Sequence, residues 1–190
     1  MVKLKGVDFS HYQAAGMDPY ISDADFFIHK ITEGTHYKDP ECQRRLRAFA
    51  DRKPTIVYHF LRDMGNIENE MQHFISAVIN SGYAHTIGAA IDYEINNSKI
   101  DVDVIEYALV LLENQLHKKP ILYCSDLHVP ALYQMIRTHD FGLWIARYRK
   151  KEPEHACDFW QYNNRPFDQD YFYGDYEKIM KYIREVEGWK

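Results

Sequence analysis

Short apolar runs alternate with helix-period segments along this chain. That alternation restricts the possible folds more than any other feature of the sequence. Runs bounded by turn residues fall near 2–9, 26–31, 54–60, 87–94, 120–125, 143–148, 159–162 and 168–172, and each reads as a strand. Residues 67–81 place Met71, Phe74, Ile75, Val78 and Ile79 at helical spacing. Residues 102–117 do the same with Ile105, Ala108, Leu109, Leu112 and Leu116, and the C-terminal segment with Ile179, Tyr182, Ile183 and Val186. Shorter helices are expected near 40–52 and 126–138. Strand–helix repetition over the first two-thirds predicts βα units and a parallel sheet. The links between the last three strands read as too short for helical crossovers, so those strands are expected to run as an antiparallel meander. Eight strands of this mixed kind fit a closed barrel, part β/α and part β.

Composition narrows the function. The 190 residues are enough for one domain with a substantial core, and no linker, repeat or low-complexity tract divides them. A net charge of −5 gives no basic face for nucleic acid. No apolar run approaches the ~18 residues of a membrane span. The opening MVKLKGVDFS lacks the apolar stretch of an export signal. Cys42, Cys124 and Cys157 show no CxxC spacing and are expected as free thiols. Among ten histidines, His11, His29, His59 and His73 show no ligand spacing, so no metal is expected. The motifs of esterases, NTPases and dinucleotide binders are missing, so no cofactor is expected.

The most informative segment is IGAAIDYE, residues 87–94. Alternation puts Ile87, Ala89, Ile91 and Tyr93 on one face and Gly88, Ala90, Asp92 and Glu94 on the other. Small residues followed by two acids make an unusual inward face, because carboxylates are rarely buried without partners. In a barrel the acids would stand at the C-terminal mouth, where barrel active sites form. Residues i and i+2 lie roughly 6–7 Å apart, which suits a pair acting on one bond. On strand position alone, a structural D-x-E held by caps or ion pairs explains the pattern equally well. Asp8 in KGVDFS and Asp168 in FDQDYF also fall at strand ends. Each alone reads as a turn or capping acid. In a closed barrel, however, the first and last strands are neighbours, and four acids then converge on one mouth.

Several segments together resemble glycoside hydrolase family 25, the Chalaropsis-type lysozymes found among phage endolysins and bacterial autolysins. They are GVDFSHYQ near the start, KITEGTHYKDP at 30–40, IVYHF at 56–60, IDYE at 91–94, ILYCS at 121–125, LWIARY at 143–148, FWQY at 159–162 and FDQDYFYGD at 167–175. They occur in the family's order and span nearly the whole chain. Two departures stand out. The family's final Asp-Leu-Asn is here Asp168-Gln169-Asp170, and its glycine-rich stretch before IVYHF is Asp51-Arg52-Lys53-Pro54.

The resemblance implies an α/β fold, a modified TIM-like barrel of (β/α)5β3 form with the last strands antiparallel. It implies an N-acetylmuramidase that cuts the β-1,4 bond between N-acetylmuramic acid and N-acetylglucosamine in peptidoglycan. By motif, Glu94 is similar to the general acid and Asp92 to the second carboxylate, with Asp8 and Asp168 as supporting acids. Tyr58, Tyr123, Trp144 and Trp160 are the expected groove aromatics, and Glu33 of the TEG motif is expected near the mouth. Residues 1–190 are expected to be a single catalytic domain without a wall-binding module, acting as a monomer on glycan strands. With no export signal, the expected routes to the wall are release from a host cytoplasm at lysis or origin as a domain of an exported protein. A nucleophilic Asp92, an inverting pair and attack by the sugar's own acetamide all fit the spacing. Assistance by the acetamide with net retention is the expectation. The rivals are a carbohydrate-binding barrel without turnover and a hydrolase of a chitin-type N-acetylglucosamine polymer.

Overall fold

Side-chain alternation on eight strands decides the architecture. The computed structural model describes residues 2–94 and 100–186. The strands are β1 (Leu4–Phe9), β2 (Phe26–Glu33), β3 (Tyr37–Lys38), β4 (Thr55–Phe60), β5 (Ile87–Tyr93), β6 (Ile121–Ser125), β7 (Gly142–Ala146), β8 (Phe159–Asn163) and β9 (Asp168–Phe172). The helices are α1 (Asp18–Asp23), α2 (Cys42–Phe49), α3 (Ile67–Asn80), α4 (Val102–Leu116), α5 (Val129–His139) and α6 (Tyr176–Met180). The sheet order is β1-β9-β8-β7-β6-β5-β4-β2-β3, and β1 also pairs with β2, so eight strands close a barrel and β3 lies outside it. The expected modified TIM-like barrel of (β/α)5β3 form is therefore present. Strand β9 runs antiparallel to both β8 and β1.

One expectation about the last strands needs correction. β7 and β8 pair in parallel, so the meander does not extend over all three. Residues 147–158 return the chain to the start of β8 without a helix. An extended segment of that length, at about 3.3 Å per residue, easily spans a five-residue strand. The helical crossover is the usual route between parallel strands, but sterics do not require it. The sequence reading also missed α1 and β3. α1 buries only Ile21, and β3 is two residues long, so neither leaves a period to read.

Helix periodicity is matched by burial except at Ile79 of α3, which is exposed. Met71, Phe74, Ile75 and Val78 of α3 are buried, as are Ile105, Ala108, Leu109, Leu112 and Leu116 of α4. Asp101 opens α4 by accepting a hydrogen bond from the Val104 amide at 3.3 Å. These helix faces pack on the outward residues of the barrel, including Ile87, Ala89, Ile91 and Tyr93. The inward residues form a second core of Phe26, Ile28, Ile56, Ala90, Ile121, Phe159 and Phe172, closed below by Ile179 and Tyr182. The C-terminal helix ends at Met180, earlier than its apolar spacing suggests, but Tyr182 and Ile183 in the following turn are still buried. The plug needs two glycines. A Cβ at Gly88 would meet the Tyr182 carbonyl at 2.8 Å, and one at Gly142 would meet the Tyr182 ring at 2.7 Å. The three cysteines are free thiols, as expected.

Candidate active site

With the bottom of the barrel filled, the inward positions at the other end of the strands are left to polar side chains. Asp8, Lys30, Tyr58, Phe60, Asp92, Glu94, Tyr123, Trp144, Tyr148, Gln161 and Asp168 line an open cleft there, with Ser10, Tyr12 and Gln13 of the loop after β1 on one side. Its volume is about 210 Å³. Alternation along β5 carries Asp92 into the floor, where it is 7 % exposed, and Glu94 follows the strand end as an exposed residue at the mouth. The predicted split of β5 into an apolar outer face and an acidic inner face is what the fold uses.

The acids form a graded cluster. β1 and β9 pair so that Asp8 stands opposite Asp168 and Gly6 opposite Asp170. Asp8 and Asp170 are both buried, and each carboxyl group perturbs the other, while Asp170 Oδ2 has no hydrogen-bond partner among the described residues. Burial, then repulsion from Asp170 and Asp168, pushes Asp8 well above the ordinary carboxylate range. Burial raises Asp170 to about 7, against the neighbouring Asp8 and the hydrogen bond from Trp144. Asp168, which borders the cleft, is raised to about 6 by burial and by Glu94. Asp92 is held well above its usual value by burial and by Glu94, while Lys30 opposes the shift. Among the described residues, no group donates a hydrogen bond to the buried Asp92 Oδ1.

Two polar side chains organise this cluster, and the sequence reading missed both. Gln161 Nε2 donates to Asp8 Oδ2 at 2.8 Å, and its Oε1 accepts from the Tyr123 hydroxyl at 2.9 Å and from Tyr148. Lys30 extends into the cleft 4.5 Å from the centre of the Phe60 ring, and its ammonium donates to Glu33 Oε2 at 2.6 Å. A shift in the β2–β4 pairing between Lys30 and Thr32 brings Glu33 to the side of Lys30. The alternation Phe159–Gln161 beside Trp160–Tyr162 carried a signal for Gln161, because the polar residue shares the inward parity. Lys30 likewise shares the parity of Phe26 and Ile28. Asp170 was also passed over in favour of Asp168, although a two-residue step puts both on the inner face. Trp144 Nε1 donates to Asp170 Oδ1 at 2.8 Å.

The predicted aromatics divide. Tyr58, Tyr123 and Trp144 border the cleft as one group, with ring centres 6.3 Å apart for Tyr58–Trp144 and 4.5 Å for Tyr123–Trp144. Trp160 is not brought to it. Its parity on β8 is outward, where it lies near Tyr162 and Tyr171 and donates to the Arg147 carbonyl at 2.9 Å. Glu33 stands behind the cleft, bonded to Lys30 and to Arg62. Among the described residues, no group of three or more His, Cys, Asp or Glu is arranged to hold a metal ion.

This fold has known counterparts. The muramidase of Trichobolus zukalii shares the fold with a TM-score of 0.76 and 22% identity, over 95% of this chain and 99% of that one. The lysozyme of Streptomyces coelicolor has a TM-score of 0.75 and 17% identity, over 95% and 97%. The catalytic domain of endolysin ply40 from bacteriophage P40 of Listeria monocytogenes has a TM-score of 0.72 and 18% identity, over 94% and 97%. Among curated proteins none matches the sequence significantly. At these identities the likeness establishes the fold. The family is established by the sequence itself, since the profile described as "Glycosyl hydrolases family 25" matches residues 4–170. The barrel, the acids at its mouth and that match agree: the chain belongs to glycosyl hydrolase family 25 and is a glycoside hydrolase.

Proposed function

We propose that this enzyme hydrolyses the β-1,4 bond between N-acetylmuramic acid and N-acetylglucosamine in bacterial peptidoglycan, with Glu94 as general acid. Action on peptidoglycan in general follows from the family; the particular bond and the roles of the residues are the proposal. The observation that carries it is the pairing of an exposed Glu94 at the mouth with a buried Asp92 whose Oδ1 receives no hydrogen bond from the described residues. A buried acceptor without a donor is costly. The acetamide N–H of an N-acetylated sugar supplies a donor of the right kind, and Asp92 then turns the acetamide oxygen toward the anomeric carbon. That oxygen attacks as Glu94 protonates the leaving oxygen, and the C–O bond to the leaving sugar breaks. Water, deprotonated by Glu94, then opens the cyclic intermediate with net retention.

The surroundings suit this division of labour. Neighbouring acids disfavour one another's ionisation, so the cluster keeps protons available near neutral pH. The rings of Tyr58, Tyr123 and Trp144 give apolar surface for sugar C–H faces. No helix among the described residues is long and apolar enough to cross a membrane. We take this catalytic domain to act as a monomer on the wall from solution, reaching it after lysis or as part of an exported protein.

The reading is tested by offering purified peptidoglycan and chitin oligomers side by side and following the product anomer by NMR at early times. Turnover of peptidoglycan alone with a β-anomeric product is expected. An α-anomer would refute acetamide assistance, a preference for chitin would move the substrate class, and no turnover on either would leave a binding barrel.

A further inference from the structure

The wall of the cleft formed by residues 10–14 is fixed by a side chain that never reaches the cleft. Arg45, on α2, is fully buried although it carries a charge. Its Nη1 donates to the Ser10 carbonyl at 2.9 Å, and its Nη2 donates to the Gln13 carbonyl and, at 3.4 Å, to that of Ala14. Nε donates to Asp18 Oδ1 at 3.0 Å. Nη1 also meets His29 Nε2 at 2.9 Å. Burial pushes His29 down to about 4, so its ring is neutral. The Nδ1–H donates to the Lys30 carbonyl at 2.6 Å, which leaves Nε2 free to accept from Arg45. On the opposite side, Asp39 accepts from the His11 amide at 2.8 Å and lies 3.1 Å from its ring nitrogen.

A loop with three of its carbonyls bound to one guanidinium has little freedom. What it presents is Ser10, Tyr12 and Gln13 at the cleft. Tyr12 is 78 % exposed, and its ring leans on His11 with centres 4.0 Å apart. One face of the ring is thus supported and the rest stands in solvent at the rim. The catalytic reading leaves this exposed aromatic unused. A supported aromatic ring beside a polar amide is the chemistry that recognises a pyranose, whose C–H face stacks while its hydroxyls hydrogen-bond.

We propose that Tyr12 and Gln13 form a sugar-binding platform at the rim of the cleft, and that Arg45 is the positioning residue that presents it. The platform takes a further N-acetylated pyranose of the glycan strand, so the inference rests on the glycan reading above. Arg45 contributes to substrate affinity without touching substrate. Lysine cannot replace it, because an ammonium lacks the fork that reaches three carbonyls, Asp18 and His29 together.

The test measures KM and kcat on soluble peptidoglycan glycan fragments for the wild type, Tyr12→Ala, Arg45→Lys and the double variant. Tyr12→Ala is expected to raise KM about three- to tenfold with kcat within about twofold, the pattern of lost uniform binding. Arg45→Lys should raise KM in the same way, and the double variant should be no worse than the poorer single one, because the two substitutions remove the same contact. Asp18→Asn, a milder loosening of the same guanidinium, should raise KM by a smaller factor and serves where Arg45→Lys does not fold. Multiplicative effects in the double variant, a loss confined to kcat, or an unchanged KM in Tyr12→Ala would each overturn the proposal. A wild type without turnover sinks the glycan reading, and this proposal with it. Wild-type turnover with insensitive KM values sinks the platform alone.

Discussion

Glu94 and Asp92 differ most in their access to water, and the proposed roles rest on that difference. Glu94 stands exposed at the mouth, where it can deliver a proton to a leaving oxygen, while Asp92 sits in the floor beside Lys30. Glu94→Gln keeps the shape and removes the proton. It should lower kcat by about 10²–10⁴ with no change in melting temperature, read by reducing-end release alongside calorimetry. The Asp8–Asp170 pair makes a second prediction at this scale. The value for Asp170 in the folded protein, about 7, lies above the ordinary 3.8. The folded state therefore holds this proton more tightly than the unfolded chain, and the stability so gained is complete below the unfolded value and lost as pH rises toward 7. His29, pushed down to about 4 by burial, works in the opposite sense over the same range, so the wild-type curve alone does not isolate Asp170. Asp170→Asn keeps an acceptor for Trp144 and removes the titrating group. Its stability relative to wild type should rise by about 2–4 kcal/mol between about pH 4 and about pH 7. Urea unfolding at both ends of that range checks it, and a pH-independent difference would show that Asp170 does not hold its proton in the folded state.

At the scale of elements, the sequence carried most where a period was long and a face had one task. α3, α4 and β5 were readable because each buries one side along its length, and β5 also announced its acids. Trp160 shows the limit. An aromatic pair at i, i+2 on β8 gives parity but not which parity faces inward, and only the pairing of Gln161 with Asp170 and of Ala146 with Gln161 fixes that. Gln161 and Lys30 were hidden for a related reason: a lone polar residue in an apolar strand reads as an interruption until its neighbours across the sheet are known. The plug formed by α6 and its following turn gives the prediction at this scale. Tyr182 is fully buried against Phe159, Phe172 and two glycines. Tyr182→Ala should cost about 3–5 kcal/mol by leaving a cavity at the closed end. The folded fraction should keep its kcat, because the cleft lies at the other end of the strands. Chemical unfolding with activity normalised to folded protein measures both. A loss of kcat in fully folded protein would mean that the plug transmits strain to the acids.

For the molecule as a whole, closure of the barrel turns scattered acids into a site. β1 and β9 are separated by more than 150 residues of chain, yet their pairing places Asp8 opposite Asp168. The sequence could suggest this meeting only on the assumption of a closed ring. The twelve-residue return from β7 to β8 escaped because it has neither helical period nor turn signature, although it is what keeps β8 parallel and sends Gln161 inward. The central claim is that the mouth of this barrel cuts a glycan next to muramic acid through Glu94. Mass spectrometry of purified peptidoglycan digested with wild type and with Glu94→Gln tests it most directly. New reducing ends on muramic acid from the wild type, and none above background from Glu94→Gln, are expected. New ends on N-acetylglucosamine, or an equal digest from both proteins, would contradict it.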